Sequence, residues 1–150
     1  MDFLPIGINV RNRSIVVIGG GHVAAQKLRT LVLSSARISV AAVTVSDDIR
    51  SMPVEWKECA YEPELISGAW LVYACTDDRD VNRRIAADAH ERGIPVNVAD
   101  DPDACDFISP AIWFNPPMSV AVSSDGRDAK RSVAWRNAIR EWGGNDQVLR

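Results

Sequence analysis

The sequence predicts an α/β fold: a Rossmann-like parallel sheet with helices on both faces, followed by a small β-hairpin and a helix. Three observations predict it. Residues 14–27 read S-I-V-V-I-G-G-G-H-V-A-A-Q-K, in which an unbroken β-branched run, Ile15 to Ile18, leads into three glycines and the start of a helical period. Such a run suits a strand buried on both faces, as in a parallel sheet. Further apolar runs follow at 38–43, 69–75 and 94–98, with helical patterns between them. The last two strand candidates, 107–114 and 118–123, instead flank Asn115-Pro116-Pro117, a change from crossover connections to a hairpin.

The glycine stretch is the chemically informative one. Gly19, Gly21 and Ala24 fit the dinucleotide-binding pattern G-x-G-x-x-G/A, with Gly20 between them. The first glycine allows a tight turn, the second lets a pyrophosphate approach the backbone, and the third small residue lets helix and strand pack closely. The free N–H groups and positive dipole end of the helix then face the phosphates. The bland alternative is a tight strand-to-helix turn that binds nothing.

Composition excludes other classes. A length of 150 residues fits one domain with a real core, and 47% hydrophobic with 25% charged residues is ordinary for a globular chain. No apolar run approaches the roughly 20 residues that span a bilayer, and no secretory signal is visible. Cys59, Cys75 and Cys105 are odd in number and widely spaced, which fits a reducing cytoplasm and argues against disulfides or a zinc knuckle. No cluster has metal-ligand spacing, so no metal site is expected. A net charge of −3 gives no reason to expect nucleic acid.

Taken in order, residues 1–13 form an irregular lead-in broken by Pro5 and Gly7. The first helix is expected over 22–34, with Leu28, Leu31 and Val32 on its apolar face. The second strand, 38–43, ends in Val43-Thr44-Val45 rather than the acidic residue that often holds a ribose 2′-OH. Either Thr44 offers its hydroxyl or backbone to the adenosine, or the cofactor reading fails. A short helix over 47–52 stops at Pro53, 54–59 alternates as a modest strand, and 63–66 forms a single turn. After the fourth strand, Thr76, Asp77 and Asp78 lie where ligands sit in open α/β sheets, though Asp77 or Asp78 equally suits a helix N-cap.

The helix over 78–92 carries Val81, Ile85 and Ala89 and ends at Gly93. Asn82 and Arg83, near its start, face either the crevice or water. The fifth strand runs into Asp100-Asp101-Pro102. Two adjacent carboxylates buried together cannot both ionise freely, which makes them candidates for acid/base work. An Asx turn closed by Pro102 is the competing reading. A last helix is expected over 128–142, ended by Gly143-Gly144. Around it, Arg127, Lys130, Arg131, Arg136 and Arg140 face only Asp128, so this segment is either a solvated surface or a seat for a polyanion.

Five stretches resemble one family in the expected order: Met1-Asp2-Phe3-Leu4-Pro5, Gly19-Gly20-Gly21-His22-Val23-Ala24-Ala25-Gln26-Lys27, Ala74-Cys75-Thr76-Asp77-Asp78-Arg79-Asp80-Val81-Asn82, Val96-Asn97-Val98-Ala99-Asp100-Asp101-Pro102 and Cys105-Asp106-Phe107-Ile108-Ser109-Pro110-Ala111. The chain is similar, over residues 1–126, to the precorrin-2 dehydrogenases that form the N-terminal part of siroheme synthases. The resemblance implies NAD-dependent oxidation of precorrin-2 to sirohydrochlorin in the cytoplasm, by a homodimer that binds neither nucleic acid nor membrane. Some members also insert ferrous iron. It implies a two-part chain, with an NAD-binding domain over 1–104 and a dimerisation and substrate-binding element over 105–150 that is shorter than in the family.

By motif matching, Gly19, Gly20, Gly21, His22, Val23, Val43, Thr44, Thr76 and Asp77 fall at the cofactor. The family too commonly lacks the acidic residue at Val43-Thr44. Asp100 matches the catalytic aspartate, and Ser124 the substrate-facing serine. Arg127, Lys130 and Arg131 are placed to bind the substrate's carboxylates. The family usually continues S-x-G-G-x-S-P, whereas Asp125-Gly126-Arg127-Asp128-Ala129 lacks the second glycine and the proline. Two competing functions are a nucleotide- or tetrapyrrole-binding module without turnover and another small Rossmann oxidoreductase.

Overall fold

The computed structural model describes residues 1–99 and 101–143. Asp100, and Gly144 with the tail beyond it, lie outside the described residues. The chain divides into two compact units, Gly7–Phe107 and Met1–Ile6 together with Ile108–Arg150. Residues 105–107 stay with the larger unit, since they hydrogen-bond back to its last strand. Asp106 N–H donates to the Val96 carbonyl at 2.9 Å, and Asn97 Nδ2 donates to the Phe107 carbonyl at 2.9 Å.

The larger unit is a five-stranded parallel sheet. Its elements are β1 (Ser14–Ile18), α1 (His22–Leu31), β2 (Arg37–Ala42), α2 (Asp47–Arg50), β3 (Glu55–Glu58), a 3-10 turn (Pro63–Ile66), β4 (Leu71–Ala74), α3 (Arg79–Glu91), β5 (Val96–Val98) and a second 3-10 turn (Pro102–Ala104). The strand order is β3-β2-β1-β4-β5, every neighbour parallel. The chain reverses direction across the sheet between β1 and β4, which makes their carboxyl ends the topological switch point.

Strand periodicity decides which helix covers which face. Ile15 and Val17 point into a core with Ala24, Ala25 and Leu28 of α1. Val16 and Ile18 point the other way, into a core with Ile85, Ala86 and Ala89 of α3. Both faces are therefore covered, and the four apolar residues of β1 are all buried. Burying one side chain such as Leu28 or Ile85 contributes about 1.5–3 kcal/mol. β3, by contrast, is exposed at every position, as an edge strand tolerates.

Several elements are shorter than the sequence pattern suggests. α1 stops at Leu31, and Ser34 Oγ caps the Leu31 carbonyl at 2.7 Å. β4 begins at Leu71 because Ala69 N–H is used by the Ile66 carbonyl in the preceding turn. The strand expected from 107 begins only at Ala111, after Pro110, which has no N–H to give a ladder.

The smaller unit contains β6 (Ala111–Asn115) paired antiparallel with β7 (Met118–Val122), joined through a cis Pro116–Pro117 bond, and α4 (Ala129–Gly143). Arg136 Nη1 donates to the Ile112 carbonyl at 3.0 Å, and the end of α4 lies against the Trp113 ring, 2.9 Å from where a Cβ on Gly143 would stand. Asp125 ties in the N-terminal residues. Its carboxylate accepts from Asp2 N–H at 2.9 Å and from Phe3 N–H at 2.8 Å. These two backbone hydrogen bonds, more than the nearby N-terminus and Arg127, hold the Asp125 carboxyl below its ordinary pKa. A lowered folded pKa contributes stability above the ordinary carboxylate value, and that contribution is lost as pH falls through the folded value. The attachment of residues 1–6 is therefore expected to survive mild acid and to release only below the usual carboxylate range. Asp125→Ala is expected to release it at neutral pH, read as faster exchange of the Asp2 and Phe3 amides.

Candidate functional site

Three strand ends converge around the glycine turn. Gly19 sits at φ +121°, and a Cβ there would meet the Cys75 carbonyl group, 2.5 Å from its carbon. On Gly20 a Cβ would meet the Thr44 carbonyl group, 2.9 Å from its carbon. The turn is thus wedged between the ends of β4 and β2, and it is pinned there by Gly19 N–H to the Ala41 carbonyl, Cys75 N–H to the Ile18 carbonyl and Ser46 N–H to the Gly20 carbonyl, at 2.9, 2.7 and 2.9 Å. Gly21 differs, since nothing lies within 4 Å of its missing Cβ. Ser46 Oγ is buried without a hydrogen-bond partner among the described residues.

Helix α1 begins at this open glycine with no side-chain cap and no acidic residue in its first turn. Its first N–H groups lack intrahelical partners, and its dipole is uncompensated. An anion is the ligand that such an end accepts. α3 makes the contrast. Asp78 Oδ1 accepts from Asp80 N–H at 2.8 Å and Val81 N–H at 3.2 Å, so Asp78 is its N-cap and Asp77 is left exposed.

The structure brings together Gly19, Gly20, Gly21, His22, Val23, Val43, Thr44 and Thr76 at the carboxyl ends of β1, β2 and β4. His22 is exposed, its ring 2.7 Å from Gln26 Nε2, and Val23 is half-buried. Val43 is 64% exposed at the end of β2, an apolar surface available to an adenine, and Thr44 turns its carbonyl towards Gly20. The crevice therefore fits a dinucleotide: an open backbone, an uncapped helix end and an exposed valine where the base would lie.

Of Asn82 and Arg83, which the sequence left between crevice and water, it is Asn82 that turns inward. It is 4% exposed and belongs to the inward stripe Asn82, Ile85, Ala86, Ala89, with Val81 only half-buried beside it. Its Oδ1 accepts from Thr76 N–H at 3.1 Å and Thr76 Oγ1 at 2.7 Å, and its Nδ2 donates to the Thr76 carbonyl at 3.0 Å. The position three residues before Ile85 is the signal that could have shown it facing inward. Asn82→Ala removes all three bonds and is expected to cost about 2 kcal/mol in urea unfolding.

Asp100 lies outside the described residues, and the bonds on either side of it belong to its neighbours alone. Ala99 N–H donates to the Ala74 carbonyl at 2.8 Å, at the β4 end. Asp101 N–H donates to the Val98 carbonyl at 3.4 Å. In the smaller unit, Ser124 Oγ accepts from Asp128 N–H at 2.8 Å. The Arg127 guanidinium is 3.2 Å from Asp2 and 3.7 Å from Asp125. Lys130 and Arg131 are exposed in the first turn of α4, with no ion-pair partner among the described residues. Tyr61, whose phenol is pushed up first by burial and then by its 2.9 Å hydrogen bond to Asp88, is packed in the α3-side core, a structural pairing. Among the described residues no group of three or more His, Cys, Asp or Glu could hold a metal ion, and no helix is long and apolar enough to cross a membrane.

A parallel sheet of this order, with a bare glycine turn and an uncapped helix at its switch point, defines a Rossmann-type dinucleotide-binding protein. Comparison with known proteins agrees: residues 6–111 match the family model described as putative NAD(P)-binding, and the chain belongs to that family. It is similar to siroheme synthase of Nitrosomonas europaea, 40% identical over 131 residues, covering 84% of this chain and 28% of that protein. It is also similar to siroheme synthase of Chromobacterium violaceum, 41% identical over 130 residues, with coverage of 84% and 28%. The chain thus spans a little over a quarter of the length of these relatives. A solved structure titled SirC, precorrin-2 dehydrogenase, shares the fold at a TM-score of 0.75 and 22% identity, over 93% of this chain and 70% of that one.

Proposed function

We propose that the chain carries out NAD-dependent dehydrogenation of precorrin-2 to sirohydrochlorin. The observation that carries this reading is the open Gly21 backbone at the uncapped start of α1, in a chain 40% identical to a siroheme synthase. When bound, NAD accepts the hydride that the reduced macrocycle loses. The chain's own residues do the rest. The glycine turn and α1 hold the diphosphate, Val43 and Thr44 receive the adenosine, and Thr76, fixed by Asn82, borders the crevice with Asp77. Asp100 takes the proton released with the hydride, so that two electrons and two protons leave the substrate. Lys130 and Arg131 provide charge-assisted contacts to its carboxylates. Ser124, whose hydroxyl accepts from Asp128 N–H and keeps its own proton to donate, and Arg127, whose guanidinium is exposed beside Asp2, add further polar contacts to the substrate.

The chain acts as a homodimer in the cytoplasm. What supports the dimer is an exposed apolar surface on the smaller unit: Trp135 and Trp142 are 58% and 63% exposed on α4, with Phe114 and Met118 exposed on the hairpin. Isolated apolar residues are ordinary on a surface, but Met118 and Trp142 line one apolar hollow with Trp113 and Val120, and such a patch marks an interaction face. Three free cysteines suit a reducing compartment. The test of activity is absorbance at the reduced-nicotinamide band when protein, NAD and precorrin-2 are mixed. Growth that requires both protein and substrate supports the enzyme. Tetrapyrrole binding without growth identifies a binding module instead. The same assay with NADP decides cofactor preference, and light scattering after size exclusion decides the dimer.

A further inference from the structure

β5 is the edge of the parallel sheet, and the chain that has just left it returns to cover it. Val96 N–H donates to Asp106 Oδ2 at 2.9 Å, and Asp106 N–H donates to the Val96 carbonyl at 2.9 Å. Two residues on, Val98 N–H donates to Cys105 Sγ at 3.1 Å. The same sulfur lies 3.3 Å from the Val98 carbonyl and 3.3 Å from the Asp101 carbonyl, between which its one proton is shared. Asn97 Nδ2 reaches that sulfur at 3.4 Å while donating to the Phe107 carbonyl. The turn between is closed by Ala104 N–H to the Asp101 carbonyl and Cys105 N–H to the Pro102 carbonyl, each at 3.2 Å.

We propose that Cys105, flanked by Asn97 and Asp106, is a positioning residue for the dehydrogenation, bridging Val98 and Asp101 and so fixing the backbone on both sides of residue 100. The inference rests on the proposed function, because residue 100 is the proton acceptor in that reading. Burial raises the Cys105 pKa, against the opposing pull of the Val98 N–H and of Lys27, so the group stays a neutral thiol able to donate and to accept. Cysteine suits the bridge because sulfur spans three backbone groups at distances that a shorter hydroxyl meets only in part. A reacting group displaced by about 1 Å lowers rates by on the order of 100-fold.

The experiment compares Cys105→Ala and Cys105→Ser in the full chain. NAD affinity should stay within about twofold of wild type in both, since the glycine turn is built on β1 and not on this loop. In the alanine variant kcat should fall by about 10- to 100-fold, with partial recovery in the serine variant. A purely structural role would lower the melting temperature and the folded fraction without changing kcat per folded molecule, and that result, or wild-type kcat in Cys105→Ala, overturns the proposal. Exchange of the Val98 amide keeps the two readings separable. If wild-type protein shows no NAD reduction with precorrin-2, the functional reading fails by itself, and with it the catalytic part of this one. Exchange about tenfold faster at Val98, but not at Val16, in Cys105→Ala then still supports the bridge. Unchanged exchange at Val98 overturns it.

Discussion

Gly19→Ala and Gly21→Ala, two residues apart in one turn, are expected to fail in opposite ways. Gly19→Ala should lose about 3 kcal/mol of stability or more, because it adds left-handed strain of roughly 1–3 kcal/mol to a backbone clash. Its backbone stands at φ +121°, and the new methyl group would run into the Cys75 carbonyl group, so β1 and β4 would have to separate. Gly21→Ala should stay folded to within about 1 kcal/mol, since nothing lies within 4 Å of the new atom and alanine is only a poorer N-cap. It should nonetheless weaken dinucleotide binding by about tenfold or more, a loss of about 1.4 kcal/mol, because the methyl group fills the space through which the pyrophosphate reaches the α1 N–H groups. Urea unfolding and calorimetric titration of NAD separate the two outcomes. Equal effects at both positions would mean that the turn is packing alone.

Asp100→Ala is expected to leave folding and NAD affinity unchanged and to lower kcat by about 100- to 10,000-fold, the usual contribution of a positioned acid or base. The loop that bears it is held at Ala99 by the Ala74 carbonyl and at Asp101 by the Val98 carbonyl, so an alanine between them disturbs neither anchor. Asp100→Asn should behave similarly, since an amide keeps the shape but cannot accept the proton. Wild-type turnover in either variant removes this carboxylate from the mechanism and leaves proton transfer to another group.

The parts of this molecule that were legible in the sequence are those set by local pattern. Ile15 to Ile18 reads as a doubly buried strand and is one. The turn at Gly19 to Gly21 carries its chemistry in its composition, and Asp77-Asp78 marks the start of α3, with the bonds to Asp80 and Val81 N–H deciding for Asp78. The parts that were not legible depend on distant partners. Asp125 holds the N-terminal backbone 122 and 123 residues away in sequence, which no local spacing shows. Cys105 is an unremarkable thiol until β5 is seen to lack a neighbour on one side. Asn82 and Arg83 were left open between crevice and water, because only packing against the end of β4 decides that Asn82 turns inward while Arg83 stays exposed beside Asp80. Arg127 reads in sequence as one cation of a basic segment, and its ion pairs with Asp2 and Asp125, 125 and 2 residues away, show only in the fold.

The central claim is that a dinucleotide lies on the bare backbone at residues 19–21, and backbone amide spectra recorded during an NAD titration test it most directly. The account predicts saturable shifts at Gly20, Gly21, His22, Val23 and Thr76, with none at Arg13 or Gly93, before the amino ends of β1 and β5. An unshifted glycine turn at saturating NAD would contradict it.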